Sequence, residues 1–247
     1  MPTTDKSTRL WEIDALRGLA VVLMIFFHLM WDLQYFGLYQ GNVLDRPWQW
    51  FARSIGSTFI FVMGASLTLS YHRAGSAVSW VKYLRRGGQI FGWGLVITVA
   101  TYFFIGNEFV VFGILHLIGL SIVLAYPFLR WSRWVSLVVG LAVIGLGIYM
   151  DTLVVASPWL IWLGIRQAGR SMADYYPLLP WFAPALLGVF VGRTFYEQGR
   201  RSFVLPDLSR VAPLAGLRFL GQHSLLIYLV HQPVLIGVLM ALGYGGF

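Results

Sequence analysis

The chain is predicted to be an all-α, polytopic membrane helix bundle of about seven transmembrane helices with a short re-entrant or interfacial segment, and three observations support that class. Of 247 residues, 58% are hydrophobic and only 11% are charged. A soluble domain carries about a quarter charged residues, so most of this surface must face an apolar solvent. Mean hydropathy is +0.71, and the apolar residues fall into runs of the length a bilayer demands, roughly 20 residues for ~30 Å of hydrocarbon. Eleven tryptophans and 17% aromatics agree, because amphipathic rings settle at membrane–water interfaces.

Seven segments meet the length requirement: 15–36, 54–71, 89–104, 109–129, 134–150, 178–196 and 219–242. Between the fifth and sixth, 153–165 is apolar but interrupted by Pro158 and too short to cross. It predicts a re-entrant or interfacial lid within 153–177. No internal repeat is visible, so residues 1–247 are expected to form a single transmembrane domain. The most hydrophilic stretch is the loop 197–217.

Lysine and arginine set the expected orientation. With the N-terminus inside, the eighteen basic residues divide fourteen to four between the cytosolic and outer sides. The inner set is Lys6, Arg9, Arg17, Arg73, Lys82, Arg85, Arg86, Arg130, Arg133, Arg193, Arg200, Arg201, Arg210 and Arg218; the outer set is Arg46, Arg53, Arg166 and Arg170. Cytosolic loops carry such an excess because positive segments resist translocation. The expected location is therefore a cytoplasmic (inner) membrane, with the N-terminus cytosolic and the C-terminus outside. The first apolar run contains Arg17, His28 and Asp32 and lacks a small-residue cleavage site, which argues against a cleavable signal peptide.

Composition excludes several classes. The chain has no cysteine, which removes disulfides, thiolate metal sites and a thioester enzyme intermediate. The net charge of +8 sits in short loops between spans, which suits membrane topology and anionic phosphates rather than nucleic acid. A retinal receptor needs a lysine in its last span, and the only lysines are Lys6 and Lys82.

Ionisable groups within spans are costly, so they tend to face the bundle interior and mark function. In the first span, Arg17 and His28 are eleven residues apart, which puts them on one helix face about 16 Å apart along the axis. Asp32 follows His28 by one turn, so the two are expected to touch, with the carboxylate orienting the imidazole. Arg17 as a snorkelling interfacial residue and His28 as a packed histidine are the plainer alternatives. His116 in the fourth span and His231 in the seventh could converge with His28 on one cavity. Glu108 stands at the mouth of the fourth span, and Gln222, His223 and Ser224 suit helix capping at the start of the seventh.

Certain segments also resemble a known family. Arg17 followed by ten residues and His28 resembles the first-helix signature of membrane acyltransferases that modify cell-surface sugars. The segments LWEIDALRGLAVVLMIFFH, TFIFVMGASLTLS and FGILHLIGLS are similar, in order and spacing, to helices of the heparan-α-glucosaminide N-acetyltransferase-like family. GQHSLLIYLVHQP is similar to the closing helix of the wider superfamily, and the resemblance runs from Trp11 to Leu239. It implies transfer of an acyl group, acetyl above all, from cytosolic acetyl-CoA to an outer sugar or glycan acceptor. It also implies that Arg17 is a donor-side anchor and His28 the catalytic histidine. The family's eukaryotic enzyme has its proposed catalytic histidine in the first outer loop. Loop 37–53 here contains none, which leaves the chemistry to His28 or His116.

The chemistry fits the spacing, since a pantetheine arm is of similar length to the Arg17–His28 rise. Arg17, Arg85, Arg86 and Arg218 are the expected phosphate ligands of acetyl-CoA. His28, oriented by Asp32, is the expected general base or nucleophile, with His116 or an amide stabilising the oxyanion. Glu108, Trp159, Trp162, Asp174, Tyr175 and Tyr176 are expected to contact the acceptor. No metal is expected; membrane lipids are the expected surroundings, and a homo-oligomer is compatible with the sequence. Two other classes stay open: a haem-binding electron carrier with histidine axial ligands, and a small-molecule or lipid transporter using Arg17 and Asp32 as a polar path.

Overall fold

A computed structural model describes residues 10–75, 79–155, 157–169 and 172–244. Lys6, Arg9 and Arg170, counted in the charge comparison above, lie outside the described residues. The helices are α1 (Trp11–Tyr35), α2 (Arg46–Ala74), α3 (Trp80–Ile105), α4 (Ile114–Leu124), α5 (Arg133–Met150), α6 (Leu178–Phe195), α7 (Ala212–Gln222) and α8 (Ser224–Leu239). Six helical segments are long and apolar enough to cross a membrane: Trp11–Tyr35, Arg46–Ala74, Trp80–Glu108, Arg133–Met150, Leu178–Phe195 and Ser224–Tyr244. The protein is thus all-α with six to seven candidate spans. The large side chains left exposed on α3, α5 and α8 include Val96, Val99, Phe104, Val138, Ile148, Val230 and Val234, the surface that lipid covers.

Two compact units divide the chain, Met1–Phe59 with Leu205–Phe247 and Ile60–Val204, and the boundary falls inside α2. In the first unit α1 packs on α7 and α8. A Cβ on Gly18 would run into the Leu217 carbonyl, and one on Gly221 into the Asp14 carbonyl, so the backbones approach as only glycine permits. From Asp14 to Gly18 the α7 partner falls from Gly221 to Leu217, so these two helices run in opposite senses. From His28 to Asp32 the α8 partner rises from His231 to Gln232.

That reversal corrects the expected single span 219–242. His223 (φ −103°, ψ 14°) ends α7 and precedes α8. Its backbone N–H reaches the carbonyls of Phe219 and Leu220, and its ring Nδ1 donates to the Phe219 carbonyl at 2.8 Å. The His223 N–H thus keeps its ordinary helical partner, Phe219, and also takes the Leu220 carbonyl that a continuous helix would leave to Ser224.

In the second unit, a Cβ on Gly64 would strike the Ala185 carbonyl, and one on Gly188 the Phe61 carbonyl. The Phe61-Val62-Met63-Gly64 stretch is accordingly a close α2–α6 crossing. The third span is longer than expected: α3 begins at Trp80, with Ser79 Oγ accepting from the Val81 N–H at 3.3 Å. Lys82, Arg85 and Arg86 thus ride the first two turns of a helix instead of a loop. Long basic side chains have good helix propensity and can reach the interface from there.

The fourth span also departs from expectation. α4 has only 11 residues, about 16 Å, and 109–113 before it is irregular. That backbone is bonded within the protein: Val110 N–H to Thr101 Oγ1 (3.0 Å), Ala173 N–H to the Glu108 carbonyl (3.0 Å) and Tyr176 N–H to the Phe112 carbonyl (3.1 Å). Non-helical backbone at membrane depth is tolerated where protein satisfies it.

The segment after α5 is not a helix. Val154–Val155 pairs in parallel with Arg166–Gln167, around a 3-10 turn, Pro158–Leu163. Arg166 clamps Asp151 with two bonds of 2.6 Å. The Tyr175 hydroxyl donates to the Ile161 carbonyl at 2.7 Å. Burial, reinforced by nearby Asp151, pushes that phenol up to about 12, so it remains a donor across the physiological range.

Asp174 reaches across from the same segment. Its Oδ2 accepts from the Ile114 N–H at 3.0 Å, acting as a remote N-cap for α4. Asp174→Ala should lower stability by about 0.5–2 kcal/mol, read as a drop in the thermal midpoint of the purified protein. Asp174→Asn, which keeps an acceptor oxygen, should retain most of it. An unchanged midpoint in the alanine variant would disprove the capping role.

Candidate active site on the first helix

Asp14, Arg17, His28 and Asp32 return to one face of α1, because the eighteen positions from Asp14 to Asp32 make about five full turns. All four face the α7–α8 side of the first unit. At the lower end, Arg17 Nη1 meets Asp14 Oδ1 at 3.3 Å, and Gln222 Nε2 donates to Asp14 Oδ2 at 3.2 Å. The Arg17 side chain keeps 23% of its surface exposed.

Three turns further along, His28 meets His231. His28 Nδ1 lies 3.0 Å from the Met24 carbonyl and 3.3 Å from His231 Nε2. His231 Nδ1 lies 2.7 Å from the Tyr228 carbonyl. A carbonyl can only accept, so each Nδ1 carries its proton. His231 Nε2 then offers a lone pair to the His28 N–H, which it shares with Met24. His28 Nε2 is left as an unprotonated nitrogen with no hydrogen-bond partner among the described residues. The two rings meet edge to face with centroids 4.7 Å apart. No macrocycle fits between rings in direct contact, so this pair does not suit axial ligation of a haem.

Asp32 forms the next rung. It is buried, with 3% of its surface exposed, and its Oδ1 accepts from Gln232 Nε2 at 2.6 Å. The expected His28–Asp32 contact is absent: the side chains share a face, but α8 supplies each with its own partner. Gln232 escaped the sequence reading, although a polar dipeptide, His231-Gln232, within an apolar span was a signal for it.

His116 belongs to the second unit and has a structural task there. Its Nδ1 accepts from the Gly113 N–H at 3.2 Å, and its Nε2 faces Thr98 Oγ1 at 3.4 Å. The ring stacks on Phe112 and meets Phe91 edge-on. Both nitrogens are thus occupied in holding the start of α4. The pairing the structure makes is His28 with His231.

The remaining expected ligands divide by environment. Arg218 Nη1 donates to the Ser209 carbonyl at 2.8 Å, while its buried Nε has no partner among the described residues. On α3, Lys82, Arg85, Arg86 and Gln89 share one face and line a shallow cleft with Ser79 and Val81. Lys82 Nζ donates to Ser70 Oγ at 3.0 Å, and Arg85 and Arg86 are exposed. Trp159 and Trp162 are exposed, as is Glu108. Asp174 and Tyr175 are already engaged by α4 and by Ile161. Among the described residues, no group of three His, Cys, Asp or Glu could hold a metal ion.

A multi-pass helical membrane protein with one polar seam, carrying an arginine at one level and a free imidazole nitrogen about three turns along, has the make-up of a membrane-embedded transferase. The chain matches the family model described as heparan-alpha-glucosaminide N-acetyltransferase, catalytic, over residues 9–233, and it belongs to that family. Its members are membrane acetyltransferases that use acetyl-CoA as donor. No curated protein and no solved structure matches the chain.

Proposed function

We propose that the protein transfers an acetyl group from acetyl-CoA at the cytosolic face to a carbohydrate acceptor at the outer face, with His28 as general base. The observation that carries this reading is the His28 ring: Nδ1 is held by Met24 and His231, and Nε2 is free. Arg17 and Arg218 supply guanidinium groups for the donor's phosphates, and the charged α3 face with Arg85 and Arg86 is a further anion surface. The Arg17–His28 rise of about 16 Å suits a donor that lies along α1 with its thioester toward His28.

In the step itself, His28 Nε2 takes the proton of the acceptor's amine or hydroxyl as that atom attacks the thioester carbonyl. The tetrahedral intermediate collapses with loss of the C–S bond. The imidazolium returns the proton to the departing thiolate, so free CoA and the acetylated acceptor leave and His28 is restored. While His28 is charged, its Nδ1–H is stabilised by the His231 lone pair and the Met24 carbonyl. That is the orienting role the sequence reading had assigned to Asp32. Trp159, Trp162 and Glu108 are exposed and available to a sugar; Asp174 and Tyr175 support the segment that carries the tryptophans.

The test uses sealed vesicles loaded with D-glucosamine and given radiolabelled acetyl-CoA outside. Inside-out vesicles should accumulate labelled product in the lumen, and right-side-out vesicles should not. Transfer confined to right-side-out vesicles would reverse the proposed orientation. Absence of transfer in both would overturn the activity.

A further inference from the structure

We infer that Asp32 and Gln232 form the acceptor subsite, holding the donor-bearing head of the acceptor one helical turn beyond His28. This inference rests on the acetyl-transfer reading and names the groups that recognise its second substrate. Asp32 is 3% exposed, yet among the described residues its Oδ2 has no hydrogen-bond partner, and the buried Gln232 Oε1 has none either. The partner atoms of the same two side chains are joined at 2.6 Å. That bond uses one Gln232 N–H and one carboxylate oxygen, and it leaves two buried acceptors with no donor to fill them.

Such an arrangement is expensive. An unfilled buried acceptor destabilises the fold, the more so when it is charged, and an acid within a span adds the penalty of the bilayer. A helix pair needing only close packing would place apolar residues there. Two acceptors side by side select a ligand head with N–H or O–H groups, such as an amine or paired hydroxyls on a sugar. Phosphates and carboxylates are disfavoured, since they would bring negative charge and further acceptor oxygens against a buried carboxylate. The subsite therefore separates the two substrates by hydrogen-bond polarity: arginines take the anionic donor, and this pair takes the proton-bearing acceptor. Its position next to the His28–His231 rung puts the bound N–H or O–H at the level where a base is available.

The test compares the full chain with Asp32→Asn, which can still accept from Gln232 but replaces an acceptor by an N–H donor, and with Gln232→Met. Two readouts are taken on protein purified in detergent: steady-state transfer from acetyl-CoA to D-glucosamine, and the thermal midpoint with and without D-glucosamine. Asp32→Asn should raise the glucosamine KM at least about tenfold, the scale of one lost charge-assisted bond, and leave the acetyl-CoA KM within about twofold. Glucosamine should raise the midpoint of the wild type and of His28→Ala, and fail to raise that of Asp32→Asn or Gln232→Met. Without ligand, Asp32→Asn should melt no lower than wild type, because a charge has left the span; a purely structural Asp32 would make it melt lower. Equal elevation of both KM values, an unchanged glucosamine KM, or a wild type that glucosamine does not stabilise would each overturn the subsite. The thermal readout needs no turnover, so a failure of the subsite is distinguishable from a failure of the acetyl-transfer reading, which an active His28→Ala would reveal.

Discussion

His28→Ala is expected to lose about 10²- to 10⁴-fold in acetyl transfer, the range typical of a positioned general acid–base group. The loss should fall on kcat, because the donor's phosphates are held elsewhere, at Arg17 about 16 Å away along α1. The variant should accumulate in the membrane like wild type, since His28 bonds mainly to its own helix carbonyl and to one neighbouring ring. His231→Ala should cost less: it removes the lone pair that steadies the charged imidazole, while the Met24 carbonyl still fixes the tautomer. A full transfer rate in His28→Ala, with equal protein in the membrane, would end the proposal. The same loss in His116→Ala with a preserved thermal midpoint would move the chemistry to the fourth helix.

The second large effect concerns the glycines that let α1 and α7 approach. Gly221→Ala forces a methyl group onto the Asp14 carbonyl and the Gly18 amide. The obstacle is backbone, so the helices must part, and overpacking of this kind costs about 1–3 kcal/mol, occasionally more. Separation would also pull Gln222 from Asp14 and unseat Arg17, so acetyl-CoA binding should weaken along with stability. Gly216 provides the control on the same helix. Nothing lies within 4 Å of a Cβ built there, so Gly216→Ala should gain up to about 1 kcal/mol of helix propensity. Thermal midpoints in detergent moving in opposite directions would support the close crossing. Similar midpoints for the two variants would refute it.

Much of the architecture was legible in the residues. The apolar runs marked four of the seven spans to within a few positions at every end except the start of α2, because hydrocarbon thickness leaves a helix little latitude in length. Three departures had local causes that hydropathy does not register. α3 extends back over Lys82, Arg85 and Arg86, since charge lowers hydropathy without lowering helix propensity. α4 is shortened because Asp174, sixty residues later, caps it at Ile114. The last expected span is broken at His223, where a side chain takes up the α7 carbonyl.

For the site, the sequence by itself determined that Arg17, His28 and Asp32 lie on one face of one helix, because helical periodicity is a local property of the chain. It also located His231 within an apolar run, while its neighbour Gln232 went unremarked. Only the tertiary structure decided who meets whom. Asp32 could reach His28 by spacing alone, yet the docking of α8 gives His28 to His231 and Asp32 to Gln232. Partner choice depends on which helix packs beside α1 and at what register, and glycines such as Gly18 and Gly221 set that approach through contacts about two hundred residues apart in sequence.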